Sequence, residues 1–429
     1  MITENLDVVD QLCAHCGVCS EVCPRQAIAN NEDRYGFFLP RIDKNKCNGC
    51  LLCHKICPVE AFQFKERLKM LEKDRLSVMG KALGTYLGYH VDSERRSRSS
   101  SGGVVSGLLH SCLKSGRVSA ALAVGENPSF PLKPVFRLFR TPESLKGLAA
   151  SKYSPVFMEG ALKQAAQDPS VDRMIFVGLP CHIRAVKKAK ALIPALSQKE
   201  IITIGIFCKK SKDLRFTGYL LSRLTRNRNF SLPDVAFARY RGSGWPGETS
   251  MRVCGKEYRQ DNRSCAIYSF PWKWHLFSPD SCLFCYDPFA RDADISVGDP
   301  WLKKYTSGAE NQPGLSFVIA RTGQAREILV NCGELVTTQA SPFEVLESQS
   351  PEEIRSKLQD AASRMRIVLK RRGSPLRTRS LMNAYWFLSL KRLFETIFEN
   401  KDHVTGLPDI FFKVLTRLPT RIMGASYLL

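Results

Sequence analysis

No run of 18 uncharged apolar residues occurs in the 429-residue sequence, so a membrane-spanning helix is not expected. The opening MITENLDVVD is acidic and has neither a basic n-region nor an apolar h-region, which sets aside a secretory signal and predicts a cytoplasmic chain. No P-loop and no Ser/His/Asp triad stands out, leaving nucleotide hydrolysis and acyl transfer without a candidate site. Neither low complexity nor depletion of apolar residues is present: 44% hydrophobic and 24% charged residues describe a folded chain, and the length suggests two or three domains.

Acidic residues are scarce, 41 Asp and Glu against 63 Lys and Arg, giving a net charge of +22. The excess invites a nucleic-acid reading, but no recognised binding module accompanies it, and no nucleic-acid partner is expected. Much of the excess falls late: Arg364, Arg366, Lys370, Arg371, Arg372, Arg377 and Arg379 follow one another without an acid.

Sixteen cysteines decide the class. A secreted disulfide scaffold is normally short and preceded by a signal, whereas cysteines in a reducing compartment are more often metal ligands or catalytic groups. Eight fall before residue 60 as an internal repeat: Cys13-x2-Cys16-x2-Cys19-x3-Cys23-Pro24 recurs as Cys47-x2-Cys50-x2-Cys53-x3-Cys57-Pro58. This is the bacterial ferredoxin run. Three cysteines two residues apart let one loop wrap three corners of a cubane, and the fourth, turned away by proline, reaches the other cluster. The spacing thus predicts one [4Fe-4S] cluster on Cys13, Cys16, Cys19 and Cys57, and a second on Cys47, Cys50, Cys53 and Cys23. A pair of zinc knuckles would use two C-x2-C pairs rather than two complete runs. His15 and His54, inside the runs, read as solvent-facing loop residues that would at most tune a potential by hydrogen bonding.

The predicted architecture is an α+β ferredoxin-like two-cluster module over residues 1–70, an α/β domain over 83–345 and a mostly helical, basic and amphipathic region over 346–429. Tyr35–Pro40 reads as a short strand and turn between the cysteine runs, and residues 66–80 as a linker. Strands are expected at Val118–Val124, Met174–Val177 and Ile201–Phe207, with helical runs between them. Residues 350–372 read as a basic helix; 380–399 and 408–418 are amphipathic.

A second cysteine constellation follows. Cys181 and Cys208 each stand just past an apolar strand, where open α/β sheets place their ligand crevice. Cys282-x2-Cys285 lies in an aromatic loop. Four such ligands suit a third cubane or zinc. Cys112 and Cys332 read as small core residues; Cys254 and Cys265 stay unassigned.

Several segments, in this order, resemble the family of coenzyme F420 hydrogenase/dehydrogenase beta subunits: Ser101-Gly102-Gly103-Val104-Val105, Ser151-Lys152-Tyr153, Val177 to His182, Gly205 to Cys208, Arg241 to Gly247 around Trp245, Cys282-x2-Cys285 and Ala293 to Asp299. They span about residues 83–305. One departure is Ala150, where the family often has glycine. The resemblance implies FAD and a cubane in this domain, the cluster held by Cys181, Cys208, Cys282 and Cys285.

Read for their own chemistry, Ser99 to Gly103 precede an apolar helix. They predict an N-cap whose free N–H groups receive the FAD pyrophosphate, or a plain capped helix. Lys152 is expected on a phosphate or on the flavin N1/O2 edge, with Tyr153 beside it; the alternative is a surface lysine. Trp245 either stacks on a ring or packs. Arg241 is a candidate partner for a substrate carboxylate or phosphate, and Asp299 a turn residue or a contact of the flavin ribityl chain. His182 is a candidate proton relay or cluster hydrogen-bond donor, with packing as the alternative. Lys152, His182, Arg241 and Trp245 are accordingly the candidate catalytic residues.

The resemblance implies oxidation of reduced coenzyme F420 by hydride transfer to FAD, with single electrons leaving through the clusters to a larger electron-transfer complex. One alternative runs the chain backwards, from ferredoxin to an organic substrate. Another is a non-catalytic relay subunit whose tail, with Trp386, Phe387 and Leu390 on its apolar face, associates peripherally with the inner face of a membrane.

Overall fold

The computed structural model describes residues 13–59, residues 75–349 apart from 147, 149, 227–228, 263–269, 273 and 307–312, and Lys391. The expected helices beyond residue 349 therefore lie outside the described residues.

The N-terminal module is built around a hairpin of β1 (Ile28–Glu32) and β2 (Phe38–Ile42), paired Ile28 to Ile42. The Asp33 carboxylate closes the turn by accepting from the Tyr35 and Phe37 N–H groups at 2.8 and 2.9 Å. Tyr35 thus belongs to the turn, and β1 was not anticipated, because its IANNE sequence carries too few apolar residues to show a period. Each cysteine run carries one helical turn, Val18–Glu21 and Leu52–Lys55.

The second unit is an eight-stranded sheet in the order β13-β3-β12-β11-β7-β6-β4-β5. Its centre is parallel: β4 (Ala120–Gly125), β6 (Arg173–Gly178), β7 (Glu200–Ile206) and β11 (Ile295–Gly298). The remaining strands pair antiparallel at the flanks: β5 (Val135–Phe139) on one side, and β12 (Ser316–Ala320), β3 (Gly84–His90) and β13 (Leu335–Gln339) on the other. The three expected strands are found within two residues of their predicted ends. They were legible because strands covered on both faces read as continuous apolar runs. Along β6, Met174 and Phe176 pack on one face with the helices Ala161–Gln167 and Pro180–Leu192, while Ile175 and Val177 join the opposite core under Val104–Lys114 and Gly323–Val330.

Two features depart from expectation. A separate antiparallel sheet of β8 (Val235–Arg239), β9 (Glu248–Val253) and β10 (Lys256–Asp261) packs with the helix Leu214–Thr225 around Phe216, Tyr240, Met251 and Trp274. Within the supposed linker, Arg75–Met79 forms a 3-10 turn whose Val78 and Met79 are buried against Val345 and Leu346. Among the described residues no helix is long and apolar enough to cross a membrane.

Candidate functional site

The parallel strands β4, β6, β7 and β11 deliver their C-terminal ends to one cavity of about 1270 Å³, lined there by Val124, Gly178, Ile206 and Gly298. This is the crevice that an open parallel sheet offers a ligand. Cys181, Cys208, Cys282 and Cys285 all line it, as do Ser99 to Ser101, Gly103, Lys152, Tyr153, Arg241 and Asp299. On the other side it reaches Ala14, His15, Phe37 and Pro58 of the N-terminal module.

Cys181 opens the helix Pro180–Leu192, Cys282 lies in the short helix Asp280–Phe284, and Cys285 caps it. Burial pushes the Cys181 thiol well up, and the nearby Cys16, Cys285 and Cys282 sulfurs push it further. The Cys282 sulfur accepts from the Ser211 N–H at 3.4 Å, and the Cys208 N–H donates to the Pro288 carbonyl at 3.0 Å. In the N-terminal module, burial pushes up the Cys16 thiol, which also feels Cys19, Cys13 and Cys57; the Cys53 thiol, raised by burial, feels Cys23, Cys50 and Cys47. Cys16 and Cys53 thus have their neighbours within the sets that the spacing defines, while Cys19 feels Cys53 as well as Cys13 and Cys57. Among the described residues no three His, Cys, Asp or Glu side chains gather tightly enough to hold a single metal ion. The donor set, all sulfur and partly supplied with N–H partners at Cys13 and Cys23, fits iron–sulfur cages.

The flavin candidates meet the same cavity on different terms. The helix Val104–Lys114 is capped by Gly103, at φ 77°, without a side-chain hydrogen bond. The serines do not cap it. Ser99 Oγ donates to the Arg95 carbonyl at 2.8 Å, Ser100 Oγ accepts the Ser151 N–H at 2.6 Å, and Ser101 Oγ is bonded to the Leu315 carbonyl. The Gly102 N–H donates to Ser316 Oγ at 3.0 Å, and a Cβ there would lie 2.5 Å from the Gly88 carbonyl oxygen, so Gly102 is required by packing. The first turn of an eleven-residue helix, Val104 to Ser106, still faces the cavity with N–H groups that no side chain caps.

Lys152 lines the cavity with Glu126 Oε1 3.9 Å away, and burial holds its ammonium below the usual lysine range. Tyr153 stands edge-on to Trp272, 4.9 Å between centroids. Arg241 is 5% exposed and already engaged: it donates to Asp299 at 2.7 Å and to the Ser100 carbonyl at 2.6 Å. Arg241 and Asp299, read separately from the sequence, are thus one ion pair that ties the serine loop to the end of β11. Trp245 is buried, precedes the cis peptide to Pro246 and packs 5.0 Å from Trp301; it does not line the cavity, whereas Trp301 does. His182 is buried, its Nδ1 accepts the Leu179 N–H at 3.3 Å, and its ring stands edge-on to Phe136. Burial holds it down to about 4, a hydrogen bond with the Val156 backbone engages the ring, and the residue lies on the cavity lining at the helix start. His15 is stacked on Phe37 at 4.5 Å and bonded to the Phe38 carbonyl, not solvent-facing; His54 is exposed as expected.

Sequence reasoning missed Trp301 and the run Lys209-Lys210-Ser211-Lys212, which follows Cys208 and resembles a solvated charge run. Lys212 is fully buried, donating to the Pro271 and Leu276 carbonyls at 3.0 and 2.7 Å and to Ser278 Oγ at 3.1 Å. Lys210 donates to the Trp272 carbonyl at 2.8 Å. The cavity lining holds seven cationic side chains (Lys152, Arg184, Lys209, Lys210, Lys212, Arg241, Lys303) against three carboxylates, Asp261, Asp287 and Asp299, a balance that favours anionic guests.

Comparison with known proteins falls on the same segments. Residues 85–163 match the family profile described as coenzyme F420 hydrogenase/dehydrogenase, beta subunit N-term; residues 171–344 match the profile for the C terminus of that same beta subunit; residues 12–61 match a 4Fe-4S dicluster domain. The chain is 29% identical over 297 residues to the F subunit of the F(420)H(2) dehydrogenase of Methanosarcina mazei, covering 67% of this chain and 75% of that protein. It is 26% identical to the beta subunit of the coenzyme F420 hydrogenase of Methanothermobacter thermautotrophicus (61% and 86% covered). To the coenzyme F420-dependent sulfite reductase of Methanocaldococcus jannaschii it is 25% identical (75% and 46%). A chain in the structure of the F420-reducing [NiFe] hydrogenase complex from Methanosarcina barkeri shares the fold, with a TM-score of 0.50 at 20% identity, over 67% of this chain and 94% of that one.

Proposed function

The chain belongs to the family of coenzyme F420 hydrogenase/dehydrogenase beta subunits, which are oxidoreductases, with a 4Fe-4S dicluster domain at its N-terminal side, and from that premise we propose that it oxidises reduced coenzyme F420 and passes the electrons singly to a protein partner. The observation that carries the reading is the single cavity at the parallel strand ends, onto which four cysteines, a helix N-terminus and a cationic lining converge, beside Cys16 of the dicluster domain.

In this reading Cys13, Cys16, Cys19 and Cys57 hold one cubane, Cys47, Cys50, Cys53 and Cys23 the second, and Cys181, Cys208, Cys282 and Cys285 a third. FAD belongs along the helix start Val104 to Ser106, the Ser99 to Ser101 loop and Lys152. Bound FAD and cubanes supply the conversion between two-electron and one-electron chemistry. The chain's own contribution is placement and charge. Lys152 presents a desolvated cation to the flavin side of the cavity. Arg241 holds the Ser100 carbonyl and Asp299 in one geometry. Lys209 and Lys303, on the lining, attract the acidic substrate. Lys188 and Arg184, on the helix that starts beside Cys181, donate to the Cys57 and Pro58 carbonyls at 2.9 and 3.4 Å and so fix one cysteine set against the other.

Anaerobic purification with iron and flavin quantitation tests the cofactor assignment. About twelve iron and one FAD per chain are expected, and Cys285→Ser should lower iron to about eight. Stopped flow with reduced coenzyme F420 tests the substrate: bleaching of flavin and then cluster absorbance is expected. Unchanged absorbance with this donor, together with rapid reduction by ferredoxin, would reverse the direction assigned to the chain.

A further inference from the structure

We propose that the exposed loop of the second cysteine run, with its flanking cations, is the surface on which an acidic redox protein docks to exchange single electrons with this chain; the proposal rests on the cluster assignment above. The second cysteine set is the most exposed of the three: Cys181, Cys208, Cys282 and Cys285 are half-buried. Cys16 is buried beside Cys181, next to the cavity; Cys13, Cys19, Cys23, Cys53 and Cys57 are half-buried; Cys47 and Cys50 are exposed. A carrier that approaches from solvent therefore comes nearest to the set around Cys47 and Cys50, neither of which lines the cavity.

The chain around these two cysteines is built outward. Residues 43–51 are exposed without interruption, and a Cβ on Gly49 would meet nothing within 4 Å. Arg41, Lys44, Lys46 and Lys55 are all exposed here. The one carboxylate among residues 41–55, Asp43, lies 3.7 Å from Lys46. In the same stretch Leu51 is 47% exposed, an apolar contact among charged neighbours in the chain. Like-charge repulsion disfavours a basic partner, and a dry apolar contact would not call for so many exposed cations. The surface fits a protein whose own redox centre is ringed by Asp and Glu, drawn in by long-range attraction that salt screens.

The test uses full-length holoprotein, prepared anaerobically, reduced chemically and desalted, so that it does not depend on coenzyme F420 as donor. It is mixed in stopped flow with an oxidised two-cluster bacterial ferredoxin, a small acidic protein used as the probe. The second-order rate constant is expected to fall roughly tenfold between low and moderate salt. Lys44→Glu/Lys46→Glu/Lys55→Glu should slow exchange at low salt by a further factor of roughly ten or more and abolish the salt dependence. Arg326→Glu, on the opposite face of the sheet, should leave the rate within about twofold of wild type. If the charge reversals lower iron content, Lys44→Gln/Lys46→Gln/Lys55→Gln takes their place, with a smaller slowing expected in the same direction. A variant with full iron that exchanges electrons at the wild-type rate overturns the docking surface alone. A wild-type protein that binds no iron in the second run overturns the cluster assignment and the proposal with it.

Discussion

Arg241 supplies the most exposed point of the reasoning about the cavity, because one side chain is held to organise three segments. Its guanidinium is 5% exposed, the Asp299 carboxylate retains 18% of its exposure, and the second branch reaches the Ser100 carbonyl. Breaking a fully buried ion pair costs about 3–5 kcal/mol. Residual solvent access at Asp299 lets water replace part of the lost cation, which places this pair nearer about 2 kcal/mol. The charge-assisted bond to the Ser100 carbonyl adds about 1 kcal/mol. Arg241→Ala is therefore expected to cost about 3 kcal/mol, and Asp299→Asn, which keeps shape and an acceptor, about 1–2 kcal/mol. The two should couple by about 1–2 kcal/mol in a double-mutant cycle. Anaerobic urea denaturation followed by circular dichroism measures these differences. Fluorescence titration of the flavin-stripped protein adds a second readout: a slackened Ser100 loop should weaken FAD about tenfold, equivalent to about 1.4 kcal/mol. Arg241→Ala within about 0.5 kcal/mol of wild type, or strictly additive single variants, would refute the clamp.

Ala150 holds φ at 79°, a region that costs a non-glycine residue about 1–2 kcal/mol. Ala150→Gly should therefore raise the melting temperature by a few degrees, and a lowered value would contradict the backbone assignment. Burial holds the His90 imidazole below its ordinary value, so between that lowered value and about pH 6.5 the unfolded chain binds more protons than the folded one. Stability should climb with pH through this window, and His90→Asn should flatten the slope relative to wild type; melting curves at pH 5, 6 and 7 would show the reverse if the group were instead a charged partner of Glu334. Residues 1–74 expressed alone, even with iron and sulfide supplied, should give far less ordered protein than the whole chain, because the core of this module is completed by the α/β domain; a well-dispersed NMR spectrum of the fragment would show otherwise.

The parts of this architecture legible from sequence are those whose cause is local. A cysteine every third residue is a property of one loop, and MIFV at Met174–Val177 is a strand because both of its faces are covered. The parts that were not legible arise from distant residues. Ser100 reads as a cap, but Ser151, 51 positions later, claims its hydroxyl through a backbone N–H. Arg241 and Asp299 read as two ligand contacts, and only the crossing of their segments turns them into a pair. Lys210 and Lys212 passed unnoticed because a lysine's burial depends on carbonyls that Pro271, Trp272 and Leu276 bring from another segment. Trp301 carried a weak signal, a large aromatic two residues beyond Asp299; nothing local separates a cavity wall from a surface tryptophan.

Two modules separated along the chain are one packing unit in space. Cys16, Val18, Val22 and Ile56 share a single buried cluster with Met158, Phe176 and Ile183 of the α/β domain. Backbone contacts reinforce it. The Glu21 carboxylate accepts from the Gly160 and Lys163 N–H groups at 2.6 and 3.0 Å, at the start of the helix Ala161–Gln167, and the Leu214 N–H donates to the Tyr35 carbonyl at 3.1 Å. The placement of Cys16 beside Cys181 is thus set by a packed core, not by a tether. The large positive charge takes on a second meaning in the same light. Part of it is not surface charge: Lys210, Lys212 and Arg321 are buried and Arg184 is largely so, with Arg184 placed beside Cys285 and Lys212 beside Cys282. Arg184 is already paired with Asp287 and Asp292, and in the proposed reading a thiolate cage at Cys282 and Cys285 would add a further counter-charge for it and for Lys212. The composition that suggested a nucleic-acid surface is, in part, buried charge.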